Sequence, residues 1–306
     1  MDTVIITGGT GLIGTALSKY LVSRGFQVII LSRNPRVQKS SSPGISFAAW
    51  NVDEQSANEE VFRKAKYLIH LAGAGVADRP WTDKRKKEIV ESRTQSSALL
   101  VKVLSRIPNE IVSVVSASAT GWYKQNLSHQ AVETDPPDPG FLGETCRVWE
   151  NSIQPVTQLG KRLVILRTGI VLSNEGGAFP EFAKPVRYGI AGILGNGKQV
   201  ISWIHIEDIC RIYMEAMLNP TWTGIYNAVA PNPVNNRTFT LELAKKMKGS
   251  FFIPIPVPNL ILRLKLGDRS EEVLKSSNIS ANKLKEQGFQ FIYPTIDAAF
   301  RDLIQC

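Results

Sequence analysis

The N-terminal part of the chain alternates between short apolar runs and an amphipathic stretch. A β-branched run, Thr3–Thr7, is followed directly by glycines and predicts a buried strand. Apolar side chains then recur at helical spacing from Ile13 to Leu21, and Gly25 is suited to the C-terminal cap of that helix. A second apolar run, Gln27–Leu31, predicts the next strand. Strand, helix and strand in this order indicate a βαβ unit, whose parallel strands must be covered on both faces.

The same alternation continues along the chain. Further strands are predicted near 45–48, 67–71, 111–116 and 162–166, and helices near 57–63, 83–104 and 142–159. Regular alternation of this kind predicts an α/β fold with a doubly wound parallel sheet of the Rossmann type. In such sheets, ligands bind at the carboxyl ends of the strands.

The remaining sequence has a different texture. Residues 175–198 are rich in glycine and predict a mobile loop around a substrate region, although ordinary turns between short elements would have the same composition. The run Pro254–Pro258 is incompatible with a helix interior and predicts an extended connector. A small helical appendage is predicted near 259–304. We therefore divide the chain into a nucleotide-binding domain, 1–248, and a C-terminal domain, 249–306.

Composition narrows the class of protein. Hydrophobic residues make up 43% of the chain and charged residues 21%, as in folded globular proteins, and no apolar run is long enough to cross a membrane. The net charge is +9, but the basic residues are mostly dispersed. The dense run Asp83–Glu88 is more typical of a solvated helix start than of a polyanion site. We therefore expect neither a nucleic-acid partner nor a membrane partner.

Cysteine and histidine usage excludes two further classes of site. Three cysteines, far apart, give neither a disulfide framework nor a metal-binding pair, and the three histidines lack metal-ligand spacing. The sequence therefore predicts no metal site and favours a reducing cytoplasm.

The segment Thr7–Gly14, TGGTGLIG, carries the first candidate chemistry. It satisfies both GxxGxxG and GxGxxG spacings, and it lies between a predicted strand and a predicted helix. In that context the backbone can approach a pyrophosphate at the helix N-terminus, so the motif predicts a dinucleotide site. The candidate cofactor-binding residues here are Gly8, Thr10, Gly11, Leu12, Ile13 and Gly14.

The end of the second strand indicates which dinucleotide binds. Ser32 and Arg33 stand where an NAD-selective protein places an acidic residue for the ribose hydroxyls. A small hydroxyl followed by a guanidinium does not repel a 2′-phosphate and offers it a bidentate donor. The sequence therefore predicts NADP(H), although Arg33 could simply be an exposed surface charge.

Four motifs resemble those of extended short-chain dehydrogenase/reductases: Thr7–Gly14, His70–Gly73, Ser116–Tyr123 and Ser202–Asp208. The segments Phe141–Glu150 and Glu286–Pro294 are similar to patterns of one subgroup, the epimerase family proteins that are grouped with nucleoside-diphosphate-sugar epimerases. That subgroup also carries a C-terminal domain of unknown function. The resemblance covers essentially the whole chain.

The resemblance implies further contacts with the dinucleotide. Leu71 and Ala72 would lie against its adenosine half, and Glu88, Arg93 and Val171 would also approach it. On physical grounds Arg93 adds a cationic donor and Val171 could pack on nicotinamide. The alternative is that Arg93 is a helix-surface charge and Val171 a core residue.

The catalytic pattern of the superfamily is incomplete in this chain. Typical members carry a Tyr and a Lys four residues apart on the helix after the fifth strand, but residues 139–152 contain neither. Ser118 corresponds to the superfamily serine that hydrogen-bonds the substrate oxygen. Tyr123 could reach the same pocket, so the candidate catalytic residues are Ser118 and Tyr123, with Glu144 and Cys146 as weaker alternatives. His205 is more consistent with a structural role than with a base.

Two functions remain open. One is an NADP(H)-dependent oxidoreductase or epimerase that acts on a carbonyl or secondary alcohol of a small molecule. The other is a non-catalytic NADPH-binding sensor that kept the nucleotide site and lost the Tyr/Lys pair. The fold alone does not choose between them.

Overall fold

The computed structural model describes residues 1–35, 42–125, 129–270 and 274–305. These residues form an eight-stranded central sheet of order β13-β7-β6-β5-β1-β2-β3-β4, in which every pair is parallel except β3 with β4. The strands are β1 Thr3–Thr7, β2 Gln27–Ser32, β3 Ile45–Asn51, β4 Ser56–Ala57, β5 Tyr67–His70, β6 Ser113–Ala119, β7 Arg162–Thr168 and β13 Gly224–Ala228. Three small sheets accompany them, formed by β8 Ile170–Ser173, β9 Gly176–Gly177, β10 Ile190–Leu194, β11 Val200–Ile201, β12 Trp203–His205, β14 Val234–Asn235 and β15 Ile253–Val257.

Helices cover both faces of the central sheet. The α-helices of the described residues are α1 Leu12–Ser23, α2 Glu59–Lys64, α3 Asp83–Arg106, α4 Phe141–Ile153, α5 Ala178–Arg187, α6 Ile206–Leu218, α7 Asn236–Lys248, α8 Asn259–Leu266, α9 Asn282–Glu286 and α10 Ile296–Gln305. Helices α1 and α6 lie on one face of the sheet and α2 and α3 on the other, whereas α5, α7 and α10 share a separate core. Leu17 of α1 and Tyr213 of α6 belong to the core on one face, whereas Phe62 of α2 and Leu100 of α3 belong to the core on the other. The prediction of a doubly wound parallel sheet is therefore confirmed. No helix of the described residues is long and apolar enough to span a bilayer.

The chain reverses its direction of sheet growth at β1. From β1 it adds β2 and β3 on one side, and it then returns to add β5, β6, β7 and β13 on the other. Two neighbouring crossovers that run apart leave a crevice at the carboxyl ends of β1 and β5, which is where ligands of open α/β sheets bind. The glycine motif follows β1 and therefore lies at this crevice.

Two sequence-based expectations for the second half of the chain are wrong. Residues 175–198 hold the β9 turn, α5 and β10 rather than a mobile loop, and Gly176, Gly177 and Gly189 adopt positive φ at the turns between them. The proline-rich segment is strand β15, which pairs in parallel with β10. Ile253 and Val257 hydrogen-bond toward β10, so the alternate residues Pro254 and Pro256 lie on the outer edge, where no N–H is needed.

The predicted helix over 142–159 is shorter than expected. Helix α4 ends at Ile153, and Gln154–Leu159 continues as a 3-10 helix that contains Pro155 near its start. Proline lacks the N–H that an α-helix needs at this point. The apolar pattern alone could not distinguish the two kinds of helix.

The C-terminal helices are present, and they pack against the residues that precede them. Phe300 of α10 packs edge-on against Phe239 of α7 in a third hydrophobic core. An extended segment, 275–281, hydrogen-bonds through Ser277 to Val200 of β11 and through Ser280 to Ala131. The division at residue 248 therefore stays a proposal, since β15 and α10 complete structure that the preceding residues begin.

Candidate functional site

The loop between β1 and α1 is shaped by three glycines in different ways. Gly8 has φ +68°, and a Cβ on it would lie 2.6 Å from the Leu71 carbonyl oxygen. A Cβ on Gly14 would lie 2.4 Å from the Gly8 oxygen. Gly11 is exposed, and among the described residues a Cβ there would meet only the Gly8 oxygen, at 3.4 Å. Gly8 and Gly14 are thus required by the fold, whereas Gly11 faces open space.

Helix α1 begins without a side-chain cap. Gly11 is the N-cap, no side chain bonds to the first-turn N–H groups, and the first turn holds no acidic residue. Thr10 is exposed and Leu12 and Ile13 are half-buried at the same point. Free N–H groups at a helix N-terminus attract anions, so this surface suits the pyrophosphate of a dinucleotide.

Ser32 and Arg33 lie at the carboxyl end of β2, beside β1. Ser32 is half-buried, and its hydroxyl accepts a hydrogen bond from the Asn34 N–H at 3.3 Å. Arg33 is exposed, and the described residues offer it no acidic partner. The side chain is therefore available to a ligand at this end of the sheet.

The buried side chain of His70 lies between Thr7 at the end of β1 and Ser97 of α3. The Thr7 hydroxyl donates to His70 Nδ1 at 2.7 Å and accepts from the Leu71 and Ala72 N–H groups, both at 3.2 Å. His70 Nε2 lies 3.1 Å from the Ser97 hydroxyl on α3, and because that hydroxyl donates to the Arg93 carbonyl at 3.0 Å, we assign the ring proton to Nε2. Burial, with Arg93 nearby, lowers the pKa of His70 to about 3. The neutral ring thus fixes the backbone of Leu71 and Ala72 against the glycine loop.

Arg93 is buried rather than a helix-surface charge. It is 8% exposed, its Nη1 donates to the carbonyls of Ala74 and Ile89 at 3.0 and 2.8 Å, and its guanidinium lies over the Trp149 ring. Burial lowers its pKa to about 10, so it stays charged at neutral pH. Through its hydrogen bond to Ala74, Arg93 holds the loop that follows β5, and this loop borders the crevice.

The run Asp83–Glu88 forms the start of α3, and only part of it is exposed to solvent. Arg85 is 7% exposed, in contrast to the expected solvated face, and it donates to the Gly75 carbonyl at 2.6 Å. Glu88 is exposed and pairs with Arg85 at 2.8 Å, which lowers the pKa of the Glu88 carboxyl. The Glu88 carboxylate is thus engaged with its own helix.

Val171 lies in β8, paired with Ile204 of β12, and packs on the core beneath α1 and α6. Its carbonyl lies close to Gly177, and a Cβ on Gly177 would lie 3.0 Å from Leu12. The β8–β9 turn therefore contacts the glycine loop and places Val171 near the crevice.

Ser118 belongs to a buried charge network at the ends of β6 and β7. Its hydroxyl donates to Glu150 Oε1 at 2.7 Å. Arg167 donates to the same carboxylate from Nε and Nη2, at 2.8 and 2.9 Å. Its guanidinium also lies 3.6 Å from the Trp122 ring centroid. Ser118, Glu150 and Arg167 are at most 4% exposed. The Ser118 proton is thus committed to Glu150, and only its lone pairs remain for a ligand.

Tyr123 extends this network toward the C-terminal residues. Its hydroxyl donates to Asn227 Oδ1 and accepts from Arg167 Nη1 at 3.0 Å, and Asn227 Nδ2 donates to the Ser280 carbonyl. Burial raises the pKa of Tyr123 to about 12, even though Arg167 opposes the shift. Tyr123 is 1% exposed, and hydrogen bonds through Arg167 and then Glu150 connect its phenol to Ser118.

The alternative catalytic residues occupy different faces of α4. Glu144 is exposed and pairs with Arg147, away from Ser118. Cys146 is buried and its thiol faces the Ala119 carbonyl at 3.6 Å; burial, with Glu150 nearby, raises its pKa to about 11. Cys146 and Glu150 are four residues apart and both face the end of β6. Helix α4 carries neither the Tyr nor the Lys that the resemblance implies.

His205 is buried at the start of α6. Its Nδ1 accepts the Glu207 N–H at the start of α6, and its ring lies 3.8 Å from that of Tyr293. Burial lowers the pKa of His205, although Asp302 opposes the shift. Among the described residues no group of three potential metal ligands comes together.

Sequence reasoning missed Glu150 and Arg167. Arg167 had a signal, because it is the one charged residue near the end of the apolar run Leu163–Thr168. A guanidinium in a buried strand needs an acidic partner. Glu150 had a weaker signal, its four-residue distance from Cys146. What the sequence could not give was the pairing of a helix residue with a strand residue 17 positions away.

Comparison with known proteins agrees with this geometry. A model of the "NAD dependent epimerase/dehydratase family" matches residues 4–228, and a model of a "domain of unknown function", DUF1731, matches 257–303. An epimerase family protein of Staphylococcus saprophyticus is 34% identical over 305 residues, which cover 99% of this chain and 100% of the relative.

Solved structures match over the same length. A human epimerase family protein, crystallised with NADPH, superposes with a TM-score of 0.86 at 27% identity, and the match covers 99% of both chains. A nucleoside-diphosphate sugar epimerase from Corynebacterium glutamicum superposes with a TM-score of 0.78 at 30% identity, and the match covers 99% of this chain and 58% of that one. This chain therefore belongs to the NAD dependent epimerase/dehydratase family.

Proposed function

We propose that this protein binds NADP(H), with the pyrophosphate at the start of α1 and the adenosine ribose at the end of β2. The main support for this proposal is the open space above Gly11. Other atoms of the protein lie close to Gly8 and Gly14, whereas the described residues leave the space beside Gly11 open. The uncapped N-terminus of α1 supplies N–H donors there. Ser32 and Arg33 favour a 2′-phosphate. The human relative crystallised with NADPH supports the same choice.

The remaining candidate residues divide into two groups. Leu71 and Ala72 would contact the adenosine half directly, since His70 and Thr7 hold their backbone against the glycine loop. Glu88, Arg93 and Val171 would act by shaping the crevice. Glu88 orients Arg85, Arg93 supports the loop after β5, and Val171 lies behind the β8–β9 turn.

When bound, the cofactor would supply or accept a hydride. The chain's own residues would orient the substrate. Because Ser118 donates to Glu150, its oxygen would accept a hydrogen bond from a substrate hydroxyl. Arg167 keeps the Glu150 carboxylate in place. Tyr123, with a pKa of about 12, would keep its proton and position Arg167.

These roles fit an oxidoreductase or epimerase that acts on a secondary alcohol or carbonyl of a small molecule, in the cytoplasm, where the buried thiols of Cys146 and Cys210 would stay reduced. One observation favours a second candidate, the NADPH sensor. The polar groups at the ends of β6 and β7 bond mainly to one another, and α4 carries neither a Tyr nor a Lys.

An activity screen separates the two candidates. NADPH oxidation and NADP⁺ reduction would be followed over ketones, quinones, aldehydes, alcohols and sugar nucleotides. For an enzyme we expect Ser118→Ala to lower turnover by about 10²-fold or more with little change in cofactor affinity. Ser152→Ala, on the same helix as Glu150, is the control.

The outcomes differ for each candidate. A silent screen with tight NADPH binding would favour the sensor. Activity that survives Ser118→Ala unchanged would place the chemistry away from Ser118, and Tyr123 and Cys146 would be replaced next.

A further inference from the structure

Four large apolar side chains stand exposed where α5 and α7 end. Phe251 is 87% exposed, Tyr188 80%, Ile253 68% and Ile190 40%. We refer to these four as the aromatic tip. Single exposed apolar residues are ordinary, but two aromatic rings and two isoleucines at neighbouring turns form a patch.

Backbone contacts place the four residues together. Tyr188 directly follows α5, and Ile190 is paired with Ile253 in the β10–β15 ladder. The Ile253 N–H bonds to the Gly189 carbonyl at 2.8 Å, and the Phe251 N–H bonds to the Lys248 carbonyl at the end of α7. The two turns that carry Tyr188 and Phe251 therefore lie side by side.

Cations surround the aromatic tip. Lys184 and Arg187 lie in the last turn of α5, and Lys245, Lys246 and Lys248 lie in the last turn of α7. Lys246 pairs with Asp297, whereas the other four have no acidic partner among the described residues. The sequence from 243 to 267 contains no Asp or Glu. Cations at helix C-termini interact favourably with the negative end of the helix dipole, which explains their sign but not the exposed rings beside them.

We propose that the aromatic tip and its cations dock on the surface of an anionic phospholipid bilayer. Aromatic rings at a turn fit the headgroup boundary, and surrounding Lys and Arg are attracted to negatively charged lipid. The structure disfavours a second copy as the occupant, because the two basic rims would repel each other. Pro254 and Pro256 also leave the outer edge of β15 without N–H donors for strand pairing.

This proposal departs from the sequence-based expectation of no membrane partner. That expectation rested on the absence of a spanning segment and on the dispersion of the basic residues. The fold gathers the last turns of two helices, far apart in sequence, beside the same two turns. The docking is peripheral and independent of the cofactor site.

The test is sedimentation of the full-length protein with vesicles. Vesicles of phosphatidylglycerol and phosphatidylcholine in equal parts are compared with vesicles of phosphatidylcholine alone, at low and physiological salt. We expect binding to the anionic vesicles only, weakened by salt. The double variant Tyr188→Ser/Phe251→Ser should lose about tenfold or more in affinity, and Lys245→Gln and Lys248→Gln about fivefold each.

Matched controls lie elsewhere on the surface. Val112→Ser removes an apolar side chain that is 51% exposed, and Lys19→Gln and Lys64→Gln remove exposed cations. These variants should bind as the wild type does, and circular dichroism checks that every variant is folded. Equal binding to both kinds of vesicle, no binding, or binding unaffected by the tip variants would overturn the proposal. So would sedimentation equilibrium showing a dimer that Tyr188→Ser/Phe251→Ser dissociates, because a second copy would then cover the tip.

Discussion

At the residue scale, glycines of one motif serve different purposes. The spacing from Gly8 to Gly14 could be predicted from the sequence, and so could its place between strand and helix. That the fold requires Gly8 could not be predicted, because this depends on the approach of Leu71, which follows β5, a contact across more than sixty residues. The structure assigns packing to Gly8 and Gly14 and open space to Gly11.

Gly11→Val is therefore expected to abolish dinucleotide binding and to leave the protein folded. The residue has φ −78°, which valine adopts readily, and its side chain would fill the space above the loop. NADPH fluorescence and circular dichroism would be measured together. Gly14→Ala is the contrasting variant, since its methyl would lie 2.4 Å from the Gly8 oxygen and should disturb folding itself. Retained binding in folded Gly11→Val would place the cofactor elsewhere.

At the element scale, α4 shows where sequence patterns stop being sufficient. Its apolar spacing predicted a helix, and the absence of Tyr and Lys was visible without a structure. That Glu150 bonds both Ser118 of β6 and Arg167 of β7 was not visible, since helical periodicity gives the buried face but not the strand residues opposite it. The exposed pair Glu144–Arg147 and the buried pair Glu150–Arg167 look equally polar in the sequence.

The two ion pairs should differ in how much they contribute to stability. Glu150→Ala leaves the Arg167 guanidinium buried without its partner, and we expect the free energy of unfolding to fall by about 3–5 kcal/mol. Urea unfolding with fluorescence detection measures this. Glu144→Ala, which removes a solvent-exposed partner of Arg147, should change stability little. If the two variants lose the same stability, the buried network does not hold the ends of β6 and β7.

At the scale of the whole molecule, the alternation of strands and helices was enough to predict the sheet. The C-terminal residues were harder, because prolines exclude a helix interior but permit an edge strand as well as a connector. The segment 275–281 has no strong pattern of its own, and it takes its extended form from hydrogen bonds to Val200, Ser202 and Ala131. The resemblance to a known family supplied the site residues around the crevice, which periodicity alone does not give.

His70 couples the stability of the whole fold to pH. The folded protein excludes the imidazolium until the pH falls to about 3, whereas the unfolded chain binds that proton below about 6.5. The stability that depends on a neutral His70 is fully present above pH 6.5 and is lost as the pH falls from 6.5 toward 3. We expect about 2 kcal/mol of unfolding free energy to be lost by about pH 5. Urea unfolding at pH 7 and at pH 5 measures this loss.

The control for this prediction is His129, which is half exposed. His129→Gln should keep the pH dependence, and His70→Gln should remove most of it. A wild-type stability that stays constant between pH 7 and 5 would mean that His70 is protonated in the fold.

Titration calorimetry with NADPH and with NADH tests the central claim most directly, that the crevice at β1 binds a phosphorylated dinucleotide through Arg33. We expect NADPH to bind at least about tenfold more tightly than NADH, because a charge-assisted contact with the 2′-phosphate contributes roughly 1.5–3 kcal/mol. Arg33→Ala should remove that preference, and Arg63→Ala, an exposed arginine on α2, should keep it. Equal affinities in the wild type, or a preference that survives in Arg33→Ala, would contradict the account.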